Sequence, residues 1–189
     1  PRTDGKVELV TSAFPGSDPN DLFLSAHHYT DSTLGVFIRA LAAKPVWDST
    51  VVIIIADHGH RLPELTPPAE LSDPSAFHIP MLWLGGALAV RDTVIHVIGS
   101  QTDLASTLLS QLGLPRTAYT WGDDILRPGH RPAAYYGYHD GFGYVDARGG
   151  FVFNDVGRRV VQHWGMVDSA DVRNGMALQQ QLVAAYEAR

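Results

Sequence analysis

Five residues stand out for the chemistry their types and spacing allow. Asp57, His58 and His60 fall within four positions, with Gly59 between the two histidines, and His78 follows eighteen residues after His60. A carboxylate beside an imidazole is a good ligand pair for a divalent metal ion. His60, two positions past His58, can face the same cavity, and its charge near neutral pH suits a phosphate or sulfate oxygen. Gly59 lets the backbone turn sharply without a Cβ clash. A plainer reading stands beside this one: Asp57 caps an ordinary turn, His60 packs against its loop, and His78 is only hydrogen-bonded at a strand entry.

The preceding residues decide where these groups sit. Val51 to Ala56 are six apolar residues in a row, five of them β-branched. Such a short unbroken run reads as a strand buried on both faces, as in a parallel sheet. In open α/β sheets, ligands bind just beyond the carboxyl ends of strands. Asp57 and His58 take that position. A Pro-rich stretch over about 60–78 then follows, with Pro63, Pro67, Pro68 and Pro74. A loop of that length in a compact domain is a candidate lid. His78 to Gly86 reads as a second buried strand, with Pro80 tolerable at its start.

Helical patterns flank the strands. Asp18 and Pro19 form an N-terminal signal, and apolar residues from Leu22 to Leu41 recur on one face, predicting a helix over about 20–43 that Pro45 ends. His27, His28 and Asp31 lie on it. Adjacent histidines point about 100° apart, so they read as surface residues, with His27 and Asp31 able to pair. Ser100 with Asp103 resembles a capping box opening a second helix that Gly113 closes. From about 127 to 165 the chain turns aromatic and Gly-punctuated, with a hairpin predicted through Ala147-Arg148-Gly149. Its tyrosines and Phe142 read as packing surface rather than a stacking site. Asp171 to Ala188 reads as a closing helix.

The 189 residues form an ordinary globular balance, 45% apolar and 18% charged. A net charge of −6 gives no support to a nucleic-acid surface. No apolar run is long enough to span a membrane. Cysteine is absent, excluding disulfides and thiolate ligands. The start at Pro1 suggests a piece of a longer protein.

Several stretches, taken in order, match one family pattern. They are His28-Tyr29-Thr30-Asp31 with Leu34-Gly35 and Phe37-Ile38; Asp57-His58-Gly59-His60; His78-Ile79-Pro80-Met81; Ser100 to Leu104 with Thr107-Leu108-Leu109; and Asp140-Gly141-Phe142-Gly143. Over about 20–165 the chain resembles the C-terminal half of the sulfatase-like catalytic domain of the alkaline phosphatase superfamily. Its nearest branch looks like the lipoteichoic acid synthase-like proteins, or phosphoglycerol transferases. The resemblance implies a partial, layered α/β/α alkaline-phosphatase-like fold: an irregular lead-in over 1–19, an α/β core over 20–126, a small antiparallel appendage over 127–165 and a C-terminal helix over 166–189. It implies a metal-dependent enzyme acting on phosphate or sulfate esters, with Asp57 and His58 as ligands to one divalent ion (manganese, zinc, magnesium or calcium). His60 and His78 are the candidates for contacting substrate.

The family's nucleophile, a threonine, serine or formylglycine, and a further acidic ligand precede the matching segment. Thr3 and Ser12 lack that motif, so no catalytic nucleophile is assigned within the chain, and inactivity in isolation is expected. The expected partners are the ester substrate, the missing N-terminal half and a second copy through an exposed sheet edge near Val51 to Ile55. The resemblance also implies an extracytoplasmic, membrane-anchored parent. The alternatives are a non-catalytic accessory domain and a two-metal phosphomutase-type enzyme of the same superfamily.

Overall fold

A computed structural model describes residues 13, 14, 16, 18–59 and 72–188. Helices and strands mix as expected. In order they are α1 (Pro19–Ala42), β1 (Val52–Ile55), β2 (Met81–Leu84), α2 (Asp103–Gln111), β3 (Ala133–Tyr138), β4 (Gly141–Asp146), β5 (Gly149–Asn154), β6 (Arg159–Gly165) and α3 (Ser169–Glu187). The chain divides into two compact units. The first contains α1, β1 and β2; the second contains Ser72–His78 and everything from Thr93 onward.

In the first unit, α1 starts where its sequence says it should. The Asp18 carboxylate accepts the N–H groups of Asn20 and Asp21 at 2.8 and 3.0 Å, and Pro19 occupies the first turn, where no N–H is needed. A 3-10 turn at Pro45–Ser49 leads into β1. β1 and β2 share one two-stranded sheet, with Val52 opposite Leu84 and Ile55 opposite Met81. They run antiparallel, which corrects the parallel arrangement expected from the apolar runs. A parallel return needs a crossover back along the sheet, and an unbroken apolar run carries no record of strand direction.

Burial is the second correction. β1 is half-buried along its length, and Met81 and Leu82 are 40% and 51% exposed, where full burial on both faces was expected. Among the described residues of this unit none is fully buried. α1 likewise leaves Leu22, Tyr29, Val36 and Phe37 exposed. Two strands and one helix supply too few layers to cover their own apolar faces.

The second unit has the core. β3 to β6 form a four-stranded antiparallel meander. Tyr138 pairs with Gly141 and Asp146 with Gly149, so two-residue loops, His139-Asp140 and Ala147-Arg148, join the strands. The second is the predicted hairpin, and β6 adds a strand that the sequence pattern did not single out. Register places Phe142 opposite Phe153, and Tyr144 between Tyr135 and Phe151. Phe142 and Phe151 are completely buried and meet edge to face at 5.9 Å, while Phe153 stacks on Phe142 at 5.5 Å. Burying each such ring contributes about 1.5–3 kcal/mol. The aromatic residues are packing surface, as read.

α3 closes that face. Its N-terminus is a capping box: Asp168 accepts the N–H groups of Ala170 and Asp171, and Asp171 accepts that of Asp168 at 2.9 Å. Val172 and Met176 pack on the Phe cluster, whereas Val183 and Tyr186, further along the helix, are 51% and 78% exposed. Gly175 is the point of closest approach. A Cβ there would lie 2.7 Å from the Phe151 ring and 3.0 Å from that of Phe142. On the opposite face Tyr136 lies over Gly143, Phe77 stacks on Tyr136 at 4.2 Å, and the Tyr136 hydroxyl donates to the Ser72 carbonyl.

Gly175→Val should therefore lift α3 from the sheet. Overpacking of this kind costs about 1–3 kcal/mol. Urea unfolding should show a lower midpoint, with an equal midpoint contradicting the packing described.

Candidate functional site

Asp57 and His58 follow β1 immediately. The ladder continues one step beyond β1, where the Ala56 N–H donates to the Pro80 carbonyl at 3.3 Å, and then the chain leaves the sheet. The return of the other strand is set by Gly85, whose φ of 125° and close approach to the Thr50 carbonyl exclude a side chain. Beyond Ala56 the backbone curls around the acid. The His58 N–H donates to Asp57 Oδ1 at 2.9 Å.

The imidazole orientation follows from its other contact. His58 Nδ1 lies 2.9 Å from the Gly59 carbonyl, which can only accept, so Nδ1 carries the hydrogen. In the neutral ring this leaves the lone pair on Nε2, 3.7 Å from Asp57 Oδ2. Both atoms are of the type that ligates a divalent ion. Ligand atoms at about 2.1 Å from one metal ion stand about 3.0–3.4 Å apart, so a small rotation brings the pair into range. The side chains are 90% and 73% exposed and have that freedom. A backbone carbonyl on the far imidazole nitrogen is the usual outer support of a ligating histidine. Asp57 and His58 thus fit a metal as two of its ligands. Among the described residues, no group of three or more metal-ligating side chains occurs.

The other sequence candidates are placed less directly. His60 and most of the Pro-rich lid, through residue 71, lie outside the described residues. His78 belongs to the second unit and is exposed. On α1, the His27 Nδ1 meets the Phe23 carbonyl at 2.9 Å and its ring lies tilted against that of Phe23 at 3.9 Å, in place of the expected Asp31 contact. His28 meets the Phe14 ring edge-on.

The structure also reveals a polar cluster in the second unit that the sequence reading did not identify. Asp103, buried at the start of α2, accepts the Ser100 N–H at 2.7 Å and the Asp123 N–H at 2.8 Å. This is one half of the expected box; the Ser100 hydroxyl instead accepts the Tyr135 N–H, and the helix starts later, with Thr102 as its cap. Asp123 takes Arg127 in a two-pronged pair, Arg116 at 3.0 Å and His130 Nδ1 at 3.1 Å. Arg127 first, then Arg116, His130 and the Asp124 N–H, hold the Asp123 carboxyl far below the usual range, against the opposing effect of burial. The density of charge over 116–130 was the available signal. Periodicity does not show which partners meet.

A family model described as Sulfatase matches residues 12–114, more than half of the chain. The chain belongs to the sulfatase family, within the alkaline phosphatase superfamily, and its mixed helices and antiparallel sheets are consistent with part of that α/β fold. Members are generally metal-dependent. The match includes Asp57, His58, His60, His78 and α2, and it stops short of β3 to β6 and α3.

The depressed Asp123 pKa has a definite sign. Its folded value lies below the unfolded one, so its stabilisation is complete above the unfolded pKa of about 4 and is lost as pH falls below it. Wild type should lose more unfolding free energy than Asp123→Asn between about pH 4 and about pH 2. Urea titrations at several pH values test this, and parallel pH profiles would contradict it.

Proposed function

We propose that this chain supplies the metal-holding half of a sulfatase-superfamily active site that transfers or hydrolyses phosphate or sulfate esters, of the phosphoglycerol-transferase type. One observation carries the reading. Within the sulfatase match, a carboxylate and an oriented imidazole stand side by side at the end of a strand, with the imidazole Nε2 3.7 Å from the carboxylate. Asp57 Oδ2 and His58 Nε2 would hold one divalent ion, and the Gly59 carbonyl keeps His58 in the ligating tautomer. When bound, such an ion polarises the ester and lowers the pKa of a hydroxyl nucleophile. His60 and His78 are assigned to the substrate's anionic oxygens. That role rests on residue type and sequence position.

The nucleophile and the remaining acidic ligand are assigned to sequence outside this chain. Two considerations support this. Catalytic metal sites use about three protein ligands, and the described residues bring two together. The exposed apolar residues of α1 and β2 also require cover, which the other half of the domain would provide. Without it, self-association through the β1–β2 sheet is the expected response. The parent is assigned to the outer side of a membrane on the strength of the family resemblance. Among the described residues no helix is long and apolar enough to cross one, so the anchor too is assigned elsewhere.

The isolated chain should show no turnover of aryl phosphate or aryl sulfate esters with manganese, zinc, magnesium or calcium, and calorimetry should find metal binding weaker than micromolar. Metal-dependent turnover by the chain alone, abolished by Asp57→Ala, would refute the division of the site. In the complete enzyme, Asp57→Ala and His58→Ala should each remove metal and activity while leaving the fold intact. His60→Ala should retain metal and slow the reaction. Normal activity in Asp57→Ala would refute the ligand assignment.

A further inference from the structure

Ser72 to His78 end the Pro-rich stretch, and they pack within the second unit. Asp73 caps a 3-10 turn over Pro74–Ala76, accepting the Ser75 N–H at 2.8 Å. Two contacts tie this turn to β3, and one side chain makes both. The Tyr136 hydroxyl donates to the Ser72 carbonyl at 3.0 Å, across 64 residues of sequence. The Phe77 ring stacks on the Tyr136 ring at 4.2 Å, with 20° between the planes. Ser72 at one end is buried, while His78, directly after Phe77 at the other, is exposed.

The sheet is built to seat that tyrosine. Gly143 is the cross-strand partner of Tyr136, and a Cβ there would lie 2.0 Å from the phenol ring. The ring fills the space a side chain at 143 would need, so β4 helps to set its direction. Gly143 ends the Asp140-Gly141-Phe142-Gly143 stretch, to which the metal site gives no role. Both Tyr136 and Gly143 lie beyond the segment that matches the Sulfatase family. Burial, followed by the charge of Asp73, raises the Tyr136 pKa, so its hydroxyl stays a donor at neutral pH.

His78 stands between two held points of the chain. Phe77 before it is stacked on Tyr136, and two residues after it the Pro80 carbonyl accepts the Ala56 N–H. Each residue spans at most about 3.6 Å, so so short a tether leaves the His78 backbone little freedom. An exposed imidazole on a backbone pinned on both sides meets a ligand with less ordering cost than one on a free loop.

We infer that Tyr136, seated on Gly143, is a positioning residue for His78: it holds the backbone from which His78 reaches an anionic oxygen of the ester. This rests on the substrate role given to His78 above. That oxygen is present in the bound ester and in the transition state, so a misplaced His78 weakens both alike and raises KM rather than lowering kcat. Loss of folded enzyme would do the reverse.

The test is steady-state kinetics of the complete enzyme with the faster of an aryl phosphate and an aryl sulfate ester. Tyr136→Leu, which removes both contacts, should raise KM at least about fivefold, with kcat and bound metal nearly unchanged. Tyr136→Phe keeps the stacked ring and loses only the hydrogen bond, so KM should rise about threefold. That milder variant decides the matter even if Tyr136→Leu fails to fold. In a His78→Ala background, either Tyr136 substitution should add nothing further. In the chain alone, the His78 imidazole resonances should move in Tyr136→Leu while those of His27 stay in place. The inference is overturned if the Tyr136 and His78 effects on KM add in full, if the Tyr136 variants lower kcat at constant KM, or if the His78 resonances do not move. A normal KM in His78→Ala would instead remove the substrate role of His78 itself, and this inference with it.

Discussion

Backbone hydrogen bonding between β1 and β2 is the constraint on which the candidate metal site depends. The ladder runs from Val52 opposite Leu84 to Ile55 opposite Met81 and extends to the bond from Ala56 to Pro80. At Asp57 the backbone leaves the ladder, and its N–H and carbonyl groups turn to local partners. The acid receives the His58 N–H, and the Gly59 carbonyl receives the imidazole hydrogen. Strand termination and ligand orientation are thus one event. A side chain at Gly85 would collide with the Thr50 carbonyl at the other end of the ladder and disturb the register that places Asp57.

The two units solve the burial problem differently. In the second, each aromatic ring on the α3-facing side of the meander has a cross-strand neighbour, and α3 approaches closely because position 175 is glycine. Polar links then tie distant segments together: Asp103 to the 123 loop, Ser100 to β3, Tyr136 to Ser72. The first unit has no comparable closure among the described residues. Its helix is well capped yet leaves Val36 and Phe37 in solvent at 60% and 55% exposure. Local helix signals and tertiary burial are separate conditions, and only the first is met there.

Asp103 and Asp123 illustrate how one residue type serves unlike ends. Asp103 is buried and satisfied by two backbone N–H groups, a structural use of a carboxylate. Asp123 is a charged hub whose guanidinium partners fix it as an acceptor, and that in turn fixes the tautomer of His130. Asp57 differs from both, being exposed, with the His58 Nε2 3.7 Å away. Only the last has the accessibility that a ligand for a catalytic ion needs.

The sequence by itself determined the local elements. Asp18-Pro19 set the start of α1, the β-branched run set β1, and the small residues after Asp146 set the hairpin. Each rests on contacts within a few residues, which spacing records. It also singled out Asp57 and His58, because a carboxylate beside an imidazole directly after an apolar run is visible without a fold. Tertiary structure decided the antiparallel sense of β1 and β2, their partial burial, the displacement of Ser100 from its capping role and the convergence on Asp123. Those depend on which segments meet after long separations: Tyr135 takes Ser100's hydroxyl from 35 residues away, and Asp103 reaches the Asp123 N–H across 20. Periodicity holds no information at that range, because a hydrogen-bond acceptor looks the same in sequence whichever donor eventually finds it.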